Sequence, residues 1–313
     1  MRDLVLLSGT ASRTLADKIA EYLEVPITPM EVFKFANDNT FAKIKANIRR
    51  RDVYVIQSCA TPVNDNIMEL LIIMDACKRA SARGITSVLP YYPYARSEKK
   101  DQPRVPITAK LMADLLTVAG ATRLITMDLH AEAIQGFFNI PVDHLYALPV
   151  MLEYLNARGD FDGLTVVSPD TGGVARARAY ARRLSADLAI IDKRRVGNDD
   201  KAEILNVVGD VEGKTCLLVD DIIDTAGSIT KAAAALHDRG AKEICAVAVH
   251  PVFSADGLQR IHDSLIKEVI VTDTITLPNT GPHDKIRVVS ISELLGEAIR
   301  RIHTGESVTS LFA

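Results

Sequence analysis

Short apolar runs punctuate this chain, and longer segments with helical spacing lie between them. The runs are LVLLS at 4–8, VYVIQ at 53–57, ITSVLP at 85–90, RLITMD at 123–128 and LTVVSPD at 164–170. They continue as LAIID at 188–192, CLLVDD at 216–221, ICAVAV at 244–249 and EVIVTD at 268–273. An apolar run without alternation reads as a strand buried on both faces, as in parallel sheets. Intervening segments such as NDNIMELLIIMDACKRASARG carry the period of a helix. The pattern predicts an α/β fold of parallel sheets flanked by helices.

Two stretches share one order: strand, polar loop, helix ending in Arg-Gly, strand, proline. They are VYVIQSCATPVNDNIMELL to SARGITSVLPYYP, and CLLVDDIIDTAGSITKAAAAL to DRGAKEICAVAVHP. Self-similarity at this scale predicts a duplicated domain. The loop is DDIIDTAGS in the second copy and SCATPVNDN in the first, so chemistry on it is expected from the second half alone. A Pro and a Gly-Asp turn interrupt LYALPVMLEYLNARGDFDG, which places the boundary near 146. The expected domains are 1–146 and 147–292, with 293–313 packing back on the first.

Composition narrows the function classes. With 48% apolar residues, 5% aromatics and no Trp, the chain fits a globular α/β protein. A net charge of -3 provides no basic field for nucleic acid, so an anionic ligand must be held by local groups, which suits small phosphorylated molecules. Cys59, Cys77, Cys216 and Cys245 lack metal or redox spacing and read as buried free thiols. The N-terminus lacks a signal-peptide pattern, and no apolar stretch nears the ~20 residues needed to cross a bilayer. A cytoplasmic protein with no membrane partner is expected.

The sharpest chemical signal is the strand running into Asp220, Asp221, Asp224, Thr225, Ala226, Gly227 and Ser228, followed by SITKAAAALHDRG as a helix. Backbone N–H groups and the hydroxyls of Thr225 and Ser228 can surround a phosphate at the positive end of the helix dipole. Three acids cannot face that phosphate without repulsion; they suit sugar hydroxyls or a Mg-bearing ligand. An Asp N-cap would account for one acid but not for three plus the Thr-Ala-Gly-Ser turn. This run resembles the ribose-5-phosphate motif of type I phosphoribosyltransferases, which implies two tandem domains of that kind.

TMDLHAEAIQGFFNIPVDHLYA at 126–147 resembles the signature of ribose-phosphate diphosphokinases. Further similarity at YYPYARSEKKDQPRVPITAKLMA, VVSPDTGGVARARAYA, AIIDKRRV and EAIRRIHTGESVTSLF extends it over essentially the whole chain. The resemblance implies transfer of the diphosphoryl group of Mg-ATP to the C1 hydroxyl of ribose 5-phosphate. It makes His130 and Asp170 the Mg2+ ligands, and Asp170, Thr171, Gly172 and Gly173 the diphosphate loop. In a mobile catalytic loop, Lys193 and Arg195 close over the phosphates, a role by which cations offset developing charge. By composition alone the polar stretch after Arg195 reads as a solvated hairpin.

The same resemblance places ATP against Phe35, Asn37, Asp38, Asn39, Arg96, Ser97 and His130. Asn39 stands where the family has Glu, Ser97 where it has Gln, and Ala133 where it has Gln or Ser. Two altered polar groups on the adenine side imply relaxed or shifted base selectivity. One class of the family is activated by phosphate and inhibited by ADP; Arg49, Ser81, Arg83, Ser307 and Ser310 are the candidate contacts, with Asn47 where Ser is frequent. The family implies a homo-hexamer whose ATP site borrows from an adjacent chain. Two rivals stay open: a salvage phosphoribosyltransferase, and a catalytically silent relative that binds synthase subunits.

Overall fold

The computed structural model describes residues 3–159, 163–195 and 203–312. Its contacts divide the chain into two compact units. One comprises Met1–Ala147, Thr274–Thr276 and Ser290–Ala313; the other comprises Leu148–Asp273 and Leu277–Val289.

The first unit opens with β1 (Leu4–Ser8) and α1 (Arg13–Leu23), followed by the hairpin β2 (Met30–Lys34) and β3 (Thr40–Ile44). Then come β4 (Asp52–Ile56), α2 (Val63–Arg79), β5 (Gly84–Leu89), α3 (Thr108–Ala119), β6 (Arg123–Met127) and β7 (Val142–Leu145). The five apolar strands form one parallel sheet in the order β1-β4-β5-β6-β7. Leu6, Leu7, Val53, Val55, Ile56, Val88 and Leu124 are buried in it, the two-sided burial that their unbroken runs predict.

The second unit contains α4 (Leu148–Arg158), β8 (Leu164–Ser168), α5 (Val174–Arg183), β9 (Asp187–Arg195), β10 (Glu203–Val208) and β11 (Thr215–Ile223). It continues with α6 (Gly227–Asp238), β12 (Glu243–Pro251), α7 (Gly257–Asp263), β13 (Glu268–Thr272) and β14 (Ile286–Val289). The sheet runs β10-β9-β8-β11-β12-β13-β14, parallel except for β10 against β9. The chain returns to the first unit in α8 (Ser292–Thr304), which packs on α1. Their axes come close at Gly296, where a Cβ would stand 2.5 Å from the Tyr22 ring.

Both units repeat strand, helix, hairpin, then strands alternating with helices, and both sheets are parallel with flanking helices. In the second, the hairpin joins the sheet through β9; in the first, β2 and β3 pair only with each other, with one bridge from Ile27 to Leu6. The apolar runs do not include β2, β3, β7, β10 and β14, and the sequence reading differs in two further places. The Pro-containing stretch read as an interruption is the helix α4, whose Pro149 sits in the first turn, where a missing N–H costs nothing. The strand at 188–192 extends to Arg195 because the polar residues beyond it pair with β10.

Candidate functional site

In the second sheet the connections diverge between β8 and β11. From β8 the chain runs outward to β9 and β10, and from β11 it runs the other way to β14. At such a topological switch point the loops leaving the carboxyl ends of the two central strands part, and a ligand can enter. Those two loops are the ones the sequence singles out. Asp170, Thr171, Gly172 and Gly173 follow β8; Asp220 and Asp221 lie near the end of β11, and Asp224, Thr225, Ala226, Gly227 and Ser228 lead from it into α6.

The turn before α6 presents amides. Ala226 takes the left-handed conformation at φ 61°, no side chain caps the helix, and the first-turn N–H groups are available to an anion. A non-glycine residue held there costs on the order of 1 kcal/mol, strain of a kind that collects at binding sites. Thr225 and Ser228 are exposed. Three neighbours that sequence reasoning missed brace the loop. Ser254 Oγ donates to Asp224 Oδ1, Phe253 N–H donates to Ile223 O at 3.1 Å, and Arg260 Nη1 donates to Thr225 O at 3.2 Å. They follow β12 and belong to the site only through tertiary contact.

The acids are arranged as a pair. Asp221 N–H donates to Asp220 Oδ1 at 2.9 Å, and Arg176 Nη1 lies 3.4 Å from Asp221 Oδ1. Burial, then the hydrogen bond and charge of Asp221, push the Asp220 carboxyl up to about 7. Across the switch point, Asp170 Oδ1 accepts from Gly173 N–H at 2.9 Å and Asp170 O accepts from Ser168 Oγ at 2.7 Å, which fixes the loop.

The corresponding place in the first unit is filled by the chain itself. Leu4 pairs with Asp52 as Leu164 pairs with Thr215. Counting from those partners, Gln57 and Ser58 stand where Asp220 and Asp221 stand, and Thr10 where Asp170 stands. Glu69, 8% exposed, accepts from Thr10 N–H at 2.6 Å, from Thr10 Oγ1 at 2.7 Å and from Gln57 Nε2 at 3.1 Å. Gln57 Oε1 accepts from Ala11 N–H at 3.2 Å. A Cβ at Gly9 would stand 2.2 Å from Gln57 Oε1, so the plug is seated against bare backbone. A carboxylate and an amide thus occupy donors that an open loop would offer to a ligand.

Elsewhere in the first unit, His130 projects from an exposed turn after β6. The turn is clamped from β7. Asp128, at φ 37°, accepts from Ala147 N–H at 2.7 Å, and Leu129 N–H donates to His144 Nε2 at 2.8 Å. Burial pulls the His144 pKa down to about 4, so the ring stays neutral and Nε2 remains an acceptor. Phe35, Asn37, Asp38 and Asn39 form the hairpin turn between β2 and β3. Phe35 N–H donates to Asn39 O at 2.9 Å, and Phe33, Phe35 and Phe41 cluster with ring centroids 4.8–5.7 Å apart. Phe35 remains 48% exposed, an aromatic face available for stacking.

Arg96 and Ser97 lie on the loop after β5, with Ser97 O accepting from Ala109 N–H at 3.2 Å. Hairpin and loop are both tethered to the start of α2, through Lys34 to Asp65 at 3.0 Å and Tyr94 to Asn64 at 2.7 Å. The hairpin and the loop that carry these residues are therefore both tied to one helix end.

Comparison with known proteins gives the family. Residues 4–120 match the N-terminal domain of ribose phosphate pyrophosphokinase, and residues 195–313 match the phosphoribosyl synthetase-associated domain. The chain is 52% identical over 309 residues to a ribose-phosphate pyrophosphokinase of Caldanaerobacter subterraneus, covering 99% of this chain and 98% of the relative. The chain belongs to the ribose-phosphate pyrophosphokinase family. A relative of the same name from Nostoc sp. is 51% identical over 310 residues, 99% of this chain and 93% of its own. The crystal structure of phosphoribosylpyrophosphate synthetase from Mycobacterium smegmatis superposes with a TM-score of 0.91 at 42% identity, covering 97% and 99% of the two chains.

In this member of the ribose-phosphate pyrophosphokinase family, Lys193 and Arg195 stand on β9, with backbone paired to Leu205 and Glu203. Residues 196–202, where the expected loop continues, lie outside the described residues. Among the described residues no three His, Cys, Asp or Glu side chains gather into a metal cage. The Asp170 carboxylate fits a Mg2+ held mainly by substrate phosphates, since Mg2+ commonly takes one or two carboxylates and keeps other oxygens. The stretches expected to hold effectors run side by side: Arg50 N–H donates to Ser81 O and Arg83 N–H to Arg51 O, both at 2.8 Å. The C-terminal stretch is tied to α8, because Arg301 donates to Ser307 O at 3.1 Å and to Ser310 Oγ.

Proposed function

We propose that the protein transfers the β,γ-diphosphoryl group of Mg-ATP to the C1 hydroxyl of ribose 5-phosphate, giving 5-phosphoribosyl 1-diphosphate and AMP. The observation that carries this is the switch point of the second unit, where an uncapped helix start and a paired acid cluster meet a glycine loop. The amides of Ala226, Gly227 and Ser228 with the hydroxyls of Thr225 and Ser228 hold the 5-phosphate. Asp220, Asp221 and Asp224 accept from the ribose hydroxyls and keep C1 facing Thr171, Gly172 and Gly173. The C1 oxygen bonds to the β-phosphorus, the bond from that phosphorus to the α,β-bridging oxygen breaks, AMP leaves, and the hydroxyl proton is lost.

Lys193 and Arg195 offset charge on the transferred group. Phe35, Asn37, Asp38, Asn39, Arg96 and Ser97 receive the nucleotide, and the clamp of Asp128 and His144 aims His130 at it. Mg2+, held through His130, Asp170 and the phosphates, supplies charge neutralisation when bound. The protein works in the cytoplasm; among the described residues no helix is long and apolar enough to cross a membrane. It assembles as a homo-hexamer, which the exposed apolar stripe of Leu111, Leu115 and Val118 on α3 supports. Phosphate and ADP act through Arg49, Ser81, Arg83, Ser307 and Ser310.

The test is incubation with ribose 5-phosphate, Mg2+ and ATP. Formation of AMP is expected; release of ADP, or no turnover, overturns the reading. A panel of purine nucleotides is expected to show activity beyond ATP, because Asn39 and Ser97 shorten the polar groups available to the base. Strict ATP preference refutes that part.

The Asp220 carboxyl adds a pH dependence. Ionised carboxylates accept sugar hydroxyls, so binding favours the deprotonated form of a group raised to about 7, and a proton is released. Affinity for ribose 5-phosphate is expected to fall as pH drops from about 8 to about 6. Calorimetry in buffers of differing ionisation enthalpy reads the released proton, and Asp220→Asn should abolish it. A pH-independent affinity in the native protein would sink this assignment.

A further inference from the structure

Arg176 sits in the first turn of α5, directly behind the diphosphate loop, with its side chain 24% exposed. Its Nη1 stands 3.4 Å from Asp221 Oδ1 and 3.8 Å from Asp220 Oδ1, so one guanidinium faces both acids. Asp220 and Asp221 are consecutive on a strand, where side chains ordinarily point to opposite faces. The bond from Asp221 N–H to Asp220 Oδ1 turns that carboxylate back along its own strand. A Cβ at Gly173 would lie 3.9 Å from the same Nη1, which puts the arginine beside the glycine loop as well.

The duplicated unit supplies a control. The helices α1 and α5 begin at Arg13 and Val174 and bury matching positions, so Arg176 corresponds to Leu15, a buried leucine in α1. Where the acid pair is replaced by Gln57 and Ser58, the arginine is absent too. Helix packing alone is therefore met by an apolar side chain; the cation accompanies the acids.

We propose that Arg176 is a positioning residue for ribose 5-phosphate, holding the Asp220 and Asp221 carboxyl groups in the orientation that receives the sugar hydroxyls. This rests on the reading of the acid turn as the ribose site. Two adjacent carboxylates repel each other, and a guanidinium with fixed donors both offsets that charge and restricts their rotamers. Arg176 does not touch the substrate; it acts through the acids.

The test uses the full chain with Arg176→Met, which keeps the stem and removes the charge, and Arg176→Lys, which keeps the charge. Arg176→Met is expected to raise the KM for ribose 5-phosphate by about tenfold or more, while kcat and the KM for ATP change by less than about threefold. Arg176→Lys is expected to recover most of that loss. Should Arg176→Met fail to fold, the combination Arg176→Leu, Asp220→Gln and Asp221→Ser reproduces the first unit's neutral set. It is expected to fold and to lose ribose 5-phosphate binding in calorimetry. An unchanged ribose 5-phosphate KM in Arg176→Met overturns the proposal, as does an equal loss in both KM values and kcat. Absence of AMP formation by the unsubstituted protein would instead overturn the functional reading itself.

Discussion

Replacing Lys193 with alanine is expected to lower kcat by about 10²–10³-fold, the typical cost of removing one preorganised charge-stabilising group from a transition state. Ribose 5-phosphate should still bind within about threefold of its original affinity, because uniform binding is not what such a group contributes. The backbone supports this assignment. β9 is parallel to β8 and registered so that Ser168 pairs with Ile190. It therefore continues past the end of its neighbour, and Lys193 stands beyond the level at which the diphosphate loop begins. Single-turnover measurement of AMP, alongside calorimetric titration of the sugar phosphate, separates the two effects. Retained turnover would remove Lys193 from the machinery.

Glu69→Ala carries the largest expected effect on stability. It strips the acceptor from Thr10 N–H, Thr10 Oγ1 and Gln57 Nε2 at a buried position. Each buried donor left without a partner costs about 1–3 kcal/mol. Several together approach half of an ordinary domain's ~5–15 kcal/mol. For a unit of this size the melting transition of the first unit should fall by about 10–20 °C. Glu69→Gln keeps one acceptor oxygen and should lose roughly half as much. Calorimetry follows the transition without relying on tryptophan, which the chain lacks. A transition unmoved by Glu69→Ala would show that water satisfies those donors, and that the first unit's loop is not sealed by its own side chains.

Much of the site was legible because its chemistry is local in sequence. The acids, the Thr-Ala-Gly-Ser turn and the start of α6 form one uninterrupted stretch, and a strand running into a helix leaves amides at a place that spacing alone predicts. The diphosphate loop was legible for the same reason. Arg176, Ser254, Arg260, Glu69 and His144 were not, since each acts on a partner from another element. Glu69 belongs to a helix whose periodicity assigns it no task, yet its carboxylate closes a loop far earlier in the chain. His144 sits in a signature stretch that drew notice to His130, while the residue holding that turn in place is the later histidine.

By itself the sequence determined the doubly buried strands of both sheets, helices between them and the position of the two candidate loops, because burial on both faces and turn composition are properties of contiguous residues. Tertiary structure alone decided which strands became neighbours. Strand order cannot be read from apolar runs, since every buried strand looks alike to the pattern. Only the placement of β8 beside β11 brought the glycine loop and the acid loop to one switch point. Only the register between the two sheets showed that the first unit fills with Glu69 and Gln57 the place that the second leaves to a ligand.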